Sequence, residues 1–406
     1  MKVQSNHDPR EVVRGLQQIL ISDTKKVGFL FGAGTSCAIK KDTEASKIPT
    51  VVEMTKLVVD SISKPAYKKA IECIRKEFEI KKIPFNIEYI LSSIIQKEEV
   101  VADERLCGLK AGELHSLREI IEKEIMNLVS VHKQNDFNPN NYVHTDFAQW
   151  ILQASRKYPI EIFTTNYDYL FELGLENKEI PYFDGFVGSF EPFFYPAALE
   201  DMRFLPEHTK LWKLHGSLGW QMSDKYDKRI IQKHPDDGKI MIYPSLLKYD
   251  NSKKQPYVSF MDRLSKFLKQ DDSVLFVSGY SFGDQHINDV IMNALKSTST
   301  SHVFGLCYSD FQDDTVVANL AKSQPKLSLY SKKHAIIGGR YGEWRLKHEP
   351  DYEDSIIIDL YFDEEAALPK GESGKENYDW TGKGELLLPD FINFVRFLSS
   401  LGGEFN

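Results

Sequence analysis

Cysteine is scarce in this chain, with four in 406 residues, at positions 37, 73, 107 and 307. None stands at the short pair spacing of a zinc module or redox motif. Neither a disulfide framework nor a structural metal site is therefore expected, and all four are read as free thiols. Long apolar runs are missing as well. No stretch approaches the ~18 apolar residues of a membrane helix, and residues 1–10 are polar, without the hydrophobic core of a signal peptide; a cytoplasmic protein without a membrane anchor is expected. Positive charge is not in excess either. Lys and Arg number 51 against 59 Asp and Glu, a net charge of −8, so no direct, specific nucleic-acid binding is expected.

The length exceeds what one core usually supports, which implies two packed units or one domain with a large insertion. The organising stretch is Val27-Gly28-Phe29-Leu30-Phe31-Gly32-Ala33-Gly34-Thr35-Ser36. Its apolar run suits a strand buried on both faces of a parallel sheet, and Gly32 and Gly34 permit a tight turn close to a ligand. Thr35 and Ser36 suit the cap of a following helix whose free amides face an anion. The full three-glycine dinucleotide fingerprint is lacking, so a plain capped turn is the competing reading.

Residues 51–59 read as a helix with Thr50 as N-cap. Helical spacing continues through 67–78, 87–95, 113–131 and 144–156, which makes 40–157 a helical insertion. From Pro159 the pattern turns to strands alternating with helices: strands at 160–164, 211–214, 274–278 and 302–306, helices at 169–173, 285–295 and 314–321. Such alternation predicts an α/β fold with a Rossmann-like parallel sheet, whose ligand lies beyond the carboxyl ends of the strands. The glycine turn, Asn166 to Asp168, His215 and the loop Gly279 to Asp284 each follow a strand and converge on that edge. Residues 183–206 and 221–239 read as long loops. Beyond 326 the alternation weakens, through a strand-like stretch at 355–362 and a polar one at 370–383 to a last helix at 389–401; 1–325 is taken as the catalytic domain and 326–406 as an appendage for assembly.

Four motifs in order, Gly32-Ala33-Gly34-Thr35-Ser36, Thr165-Asn166-Tyr167-Asp168, Lys213-Leu214-His215-Gly216-Ser217 and Gly279-Tyr280-Ser281-Phe282-Gly283-Asp284, resemble the sirtuin superfamily over about residues 20–310. More narrowly they resemble the bacterial sirtuin-like NAD hydrolases of anti-phage defence. Deacylating sirtuins carry Gln where this chain has Thr165, and a four-cysteine zinc module for which it has no ligands. The resemblance implies NAD as substrate without a metal, a homo-oligomer, and a HerA-type ATPase/translocase or an Argonaute as partner. It also implies Asn166, His215 and Asp168 as catalytic residues, with Gly32, Ala33, Gly34, Ser36, Thr165, Gly279, Tyr280 and Ser281 around the dinucleotide. The expected reaction releases nicotinamide and leaves ADP-ribose. A non-catalytic NAD or ADP-ribose sensor and an NAD-dependent deacylase are the alternatives.

The chemistry of the residues agrees. Breaking the nicotinamide bond passes through an oxocarbenium-like ribose, which calls for a phosphate cradle, polar groups at the ribose and a group to manage a nucleophile. Asn166 offers a donor and an acceptor, Asp168 a carboxylate for developing positive charge or a carboxamide, and His215 a base near neutral pH. Plainer readings compete: Asn166 and Asp168 as caps of the helix at Tyr169, His215 as a loop histidine, Asp284 with His286 as a helix start, and Cys37 as a packed small residue. His132, His144, His208 and His234 show no metal-ligand spacing.

Overall fold

In the computed structural model residues 5–41, 43, 45–101, 104–200, 204–222, 230–232, 255–351, 358–367 and 380–402 are described. Most of 221–239, with 352–357 and 368–379, lies outside them, so the loop expected over 221–239 and the tail segments at 355–362 and 370–383 are described only in part. The centre of the molecule is one sheet of ten strands. In chain order they are β1 Ser5–His7, β2 Lys26–Phe31, β3 Glu161–Thr164, β4 Tyr182–Phe183, β5 Thr209–Lys213, β6 Ser273–Ser278, β7 His302–Leu306, β8 Leu327–Tyr330, β9 His334–Ile337 and β10 Arg340–Trp344. Across the sheet they stand β1-β10-β9-β8-β7-β6-β2-β3-β5-β4. All pairings from β8 to β4 are parallel, as is β1 with β10; only β8–β9 and β9–β10 are antiparallel.

The order shows where a ligand belongs. From β2 the chain moves outward to β3 and β5, then returns past β2 to β6 and continues to β7 and β8 on the other side. The strand order therefore reverses between β2 and β6, and a crevice opens at the carboxyl ends of such a pair. Register brings those ends level: Ser278 pairs with Phe31 and with Leu306, and Phe31 with Thr164.

Two-residue alternation divides the strands between two cores. Val27, Phe29, Phe31, Ile162, Val274 and Phe276 face one side, where helices α1 Pro9–Ile21, α6 Val143–Gln153, α7 Leu170–Asn177 and α11 Phe391–Ser400 cover them. Leu30, Phe163, Leu275 and Val277 face the other, under α8 Tyr257–Leu268, α9 Gln285–Ser297 and α10 Val316–Lys322. A sheet covered on both faces must be apolar on both, which is why β2 reads as an unbroken hydrophobic run.

Within the expected insertion, 40–157, helices α2 Val51–Ser61, α3 Pro65–Lys81, α4 Ile87–Val100 and α5 Ala111–Val129 surround a core of their own that includes Val58, Ile71, Ile74, Leu91, Leu117 and Ile121, whereas α6, inside the same bounds, packs on the main sheet. Thr50 caps α2 as expected: its Oγ1 accepts from the Glu53 amide at 3.3 Å, while Glu53 Oε2 accepts from the Thr50 amide at 2.9 Å. Stretch 183–206, expected as a loop, instead carries strands Phe186–Val187 and Phe193–Phe194, which join Trp220–Met222 and Ile230–Gln232 in a small antiparallel sheet. Of the segment 326–406, β8 to β10 continue the main sheet and α11 packs on its core, so these residues are joined to the domain rather than set beside it.

The cysteines correct the free-thiol expectation in part. Cys73 of α3 and Cys107 of the 106–109 turn form a disulfide with Cα atoms 5.6 Å apart, while Cys37 and Cys307 are free. Thirty-four residues separate the pair, a spacing that sequence inspection does not recognise and that the α3–α4–α5 packing closes. Closing a loop of that size restricts the unfolded chain by roughly 3–4 kcal/mol in the chain-entropy estimate. Reductant should therefore lower the melting temperature of the wild type and leave that of Cys73→Ser, already low, unmoved; equal melting curves with and without reductant would show that the bond contributes nothing.

Candidate functional site

The site is built on a contact between backbones. Gly32 donates its amide to Ser278 O at 3.0 Å, and Gly34 donates to Gly279 O at 2.9 Å. A Cβ placed on Gly32 would stand 2.5 Å from Gly279 O, and one on Gly279 would stand 2.5 Å from the Thr35 nitrogen. Gly279 also has φ +66°, a conformation costly to any residue with a side chain. The two glycine loops therefore close on one another at the switch point. Gly279→Ala should destabilise the fold by more than about 2 kcal/mol, read as a loss of melting temperature.

From this contact the helical turn Ala33–Ser36 reaches the loop after β3. Thr35 Oγ1 accepts from Asn166 Nδ2 at 3.0 Å and itself donates to Gly32 O at 2.9 Å. Ser36 Oγ donates to Asp168 Oδ2 at 2.6 Å, and Asp168 Oδ1 accepts the Leu170 amide at 3.0 Å. Asn166 and Asp168 are 5% and 4% exposed, and Asn166 Oδ1 is buried without a partner among the described residues. The capping reading holds in part: Asp168 Oδ1 meets the first amide of α7, whose N-cap is Tyr169, and Oδ2 meets the glycine turn, while Asn166 turns to Thr35 instead.

Beneath this loop Lys213 is buried at the end of β5. Its Nζ donates to Glu172 Oε1 at 2.6 Å and to the Asp168 carbonyl, with the Tyr167 carbonyl at 3.5 Å. Burial pushes the Glu172 carboxyl up to about 7 against the pull of Lys213. Two residues on, His215 Nε2 lies 3.1 Å from Asp284 Oδ2, with the pair 12% and 8% exposed. Asp284 Oδ1 accepts the His286 amide at 3.0 Å as N-cap of α9. A carboxylate behind an imidazole fixes its orientation and stabilises its protonated form.

On the other side of the glycine turn a cavity of about 540 Å³ is lined by Gly34, Cys37 and Gly279 to Ser281, by Leu306 to Phe311 after β7, and by Pro389 to Ile392 at the start of α11. The expected residues accordingly divide. Gly34, Gly279, Tyr280 and Ser281 line the cavity, whereas Asn166, Asp168 and His215 stand on the β3–β5 side of Gly32–Ser36. Ala33 is exposed at the turn, Gly32 is buried under the Gly279 loop, Ser36 faces Asp168, and Thr165 donates its amide to Phe31 O at 3.0 Å.

Sequence reasoning missed several partners. Thr35, Lys213 and Glu172 fix the Asn166–Asp168 loop, and Asp284 holds His215 besides capping a helix. No sequence signal pairs residues 69 apart. His144, read only for metal spacing, is 1% exposed, with neither ring nitrogen bonded among the described residues, against the rings of Phe171 and Phe391 at 4.6 and 5.5 Å. Burial lowers it from 6.5 to about 4, so it is neutral near pH 7. The unfolded chain takes up that proton near pH 6.5 and the folded chain only near 4, so stability present above 6.5 is lost as pH falls toward 4, by about 3 kcal/mol. His144→Leu should flatten that part of the melting-temperature profile between pH 7 and 4.5; a profile parallel to the wild type would refute it.

Fold and site together define an α/β protein with a crevice at the switch point of a parallel sheet. Residues 160–327 match a family model described as a SIR2-like domain, a span that takes in Thr165 to Asp168, His215 and Gly279 to Ser281 but begins after the glycine turn. No curated protein matches. Similar solved structures include a Sir2 homolog–NAD complex at 13% identity, covering 75% of this chain and 86% of that chain with TM-score 0.34. A mutant Sir2 homologue with ADP-ribose is also 13% identical, covering 73% and 85%, TM-score 0.34. Cytosolic 5′-nucleotidase IIIB bound to cytidine is 11% identical, covering 85% and 89%, TM-score 0.28. Likenesses this remote carry no argument about function.

Proposed function

We propose that this chain is an NAD hydrolase that breaks the nicotinamide–ribose bond to give nicotinamide and ADP-ribose. The observation that carries the reading is the junction of the SIR2-like span with the glycine turn: Asn166 and Asp168 are bonded to Thr35 and Ser36. A cavity of about 540 Å³ beside the turn is within the range of small-ligand sites and suits the adenosine end. The diphosphate then crosses the exposed Ala33–Gly34 and the nicotinamide ribose lies toward Asn166. The Gly34 and Thr35 amides are held by Gly279 O and Gly32 O, so the turn offers its shape and the remaining backbone rather than these two donors.

The unpaired Asn166 Oδ1 is an acceptor for a ribose hydroxyl or for the attacking water. As the C–N bond breaks, its electron pair leaves with nicotinamide, Asp168 stabilises the positive charge that develops, and the water oxygen bonds the anomeric carbon. His215, backed by Asp284, takes the water proton. Protein deacylation fits less well. Of the four cysteines a zinc module would need, two are joined to each other and two line the cavity. A cytoplasmic role in anti-phage defence by NAD depletion, as a homo-oligomer with a HerA-type ATPase or an Argonaute, belongs to the same proposal through the resemblance of the four motifs.

Purified protein given NAD, alone and with such partners, should release nicotinamide, and Asn166→Ala or His215→Ala should reduce the rate by at least about a hundredfold. Activity that survives both changes would refute the assignment, and acetyl transfer from an acetyl-lysine peptide to ADP-ribose would replace hydrolysis with deacylation.

A further inference from the structure

Away from the crevice, one group of side chains in the helical insertion has the composition of a soft-metal site. Cys73 and Glu77 stand one turn apart on α3 and so share a face of it, and Cys107 meets them from the 106–109 turn. The two sulfurs and a carboxylate oxygen lie within 4.8 Å of one another. Glu77 Oε1 is 3.3 Å from Cys107 Sγ and 3.9 Å from Cys73 Sγ. All three residues are half-buried, which leaves an ion a path from solvent.

The surroundings hold the group in place. Lys97 Nζ donates to Glu77 Oε2 at 2.6 Å and to Ser93 Oγ at 3.0 Å. The carboxylate therefore presents Oε1 to the sulfurs, held from behind as ligating carboxylates are. On the facing side Leu106 and Leu109 exchange backbone bonds at 3.0 Å, and Arg105 Nη1 donates to the Gly108 carbonyl at 2.8 Å. Cys107 at φ +48° and Gly108 at φ +79° form the middle of this turn. Asn, Asp or Gly ordinarily takes the first of those places, so Cys107 bears a conformational cost in bringing its sulfur to α3.

In the oxidised chain the two sulfurs are bonded to each other. A dithiol reductant opens that bond: its own two S–H bonds give way to one S–S bond, and the two protons and two electrons released turn Cys73 and Cys107 into thiols. A divalent cation then displaces both thiol protons. Two thiolates, the Glu77 carboxylate and the Lys97 ammonium leave an excess of negative charge that the cation neutralises. Thiolates select zinc-like ions over magnesium or calcium. Tetrahedral Zn–S bonds of about 2.3 Å set the sulfurs about 3.8 Å apart, which Cα atoms 5.6 Å apart allow.

We propose that the reduced pair, together with Glu77, binds a zinc-class divalent cation, so that α3 and the 106–109 turn stay joined through the metal when the disulfide is open. Three protein ligands leave a fourth position to water, unlike a four-cysteine module. The test uses the full chain, reduced with dithiothreitol, freed of it by gel filtration under argon and titrated with cobalt(II) alone. A thiolate-to-cobalt charge-transfer band should saturate near about one equivalent, and zinc(II) should raise the melting temperature of the same reduced chain. The chain re-oxidised with diamide should show neither effect, a comparison that needs no variant to fold. Cys73→Ser combined with Cys107→Ser keeps Cys37 and Cys307 and should give no band, while Glu77→Gln should bind at least about tenfold more weakly. Absence of the band in the reduced wild type, its presence in the oxidised chain or the double variant, or undiminished affinity in Glu77→Gln would overturn the proposal.

Discussion

The close approach of two glycine loops at the strand-order reversal is the constraint on which the site depends. Gly32, Gly34 and Gly279 bring the turn after β2 within hydrogen-bond distance of the turn after β6, and no side chain fits between them. Each further positioning step starts there. Because the turn is fixed, Thr35 and Ser36 are fixed, and their hydroxyls set Asn166 and Asp168; Lys213 then ties the same loop to β5, two residues from His215. Hydroxyl, amide and ammonium groups thus join four strands at one edge of the sheet.

Polar groups inside this sheet are tolerated because they are satisfied. Glu161 receives Arg263 Nε at 2.8 Å and Trp212 Nε1 at 2.9 Å, and Lys213 has a carboxylate and carbonyls around it. A charge buried without such partners costs several kcal/mol. Against that background the exceptions are informative. Asn166 Oδ1, Ser217 Oγ and Ser278 Oγ, all buried and unbonded among the described residues, stand at or just beyond the carboxyl ends of β3, β5 and β6. Buried atoms away from this edge, such as both His144 ring nitrogens and Tyr257 Oη, are also unbonded among the described residues, but these three stand where the topology opens a crevice.

Much of this was legible in the sequence because it rests on local pattern. The apolar run of β2, the strand at 302–306 and the Thr50 cap are nearest-neighbour effects, and the parallel sheet follows from alternation. Asn166, Asp168 and His215 were visible as polar groups after strands. What could not be read depends on distant pairing. Asp284 has the same local signature whether it caps α9 alone or also holds His215, and Cys73 with Cys107 becomes a pair only when three helices pack. The sheet's far side, β8 to β10, was hidden for another reason: two antiparallel steps, through 331–333 and through Gly338 and Gly339, break the alternation that marks the parallel part.

The order of assembly follows from the first strand. β1, residues 5–7, pairs with residues 342–344 of β10, and the far wall of the cavity is made by residues 389–392. During synthesis residues 5–7 must wait for residues 342–344 before their strand has a neighbour. The cavity closes later still, when α11 has left the ribosome. A chain that has reached residue 344 therefore has its glycine turn and its strands, while the wall of the cavity made by residues 389–392 is still to come.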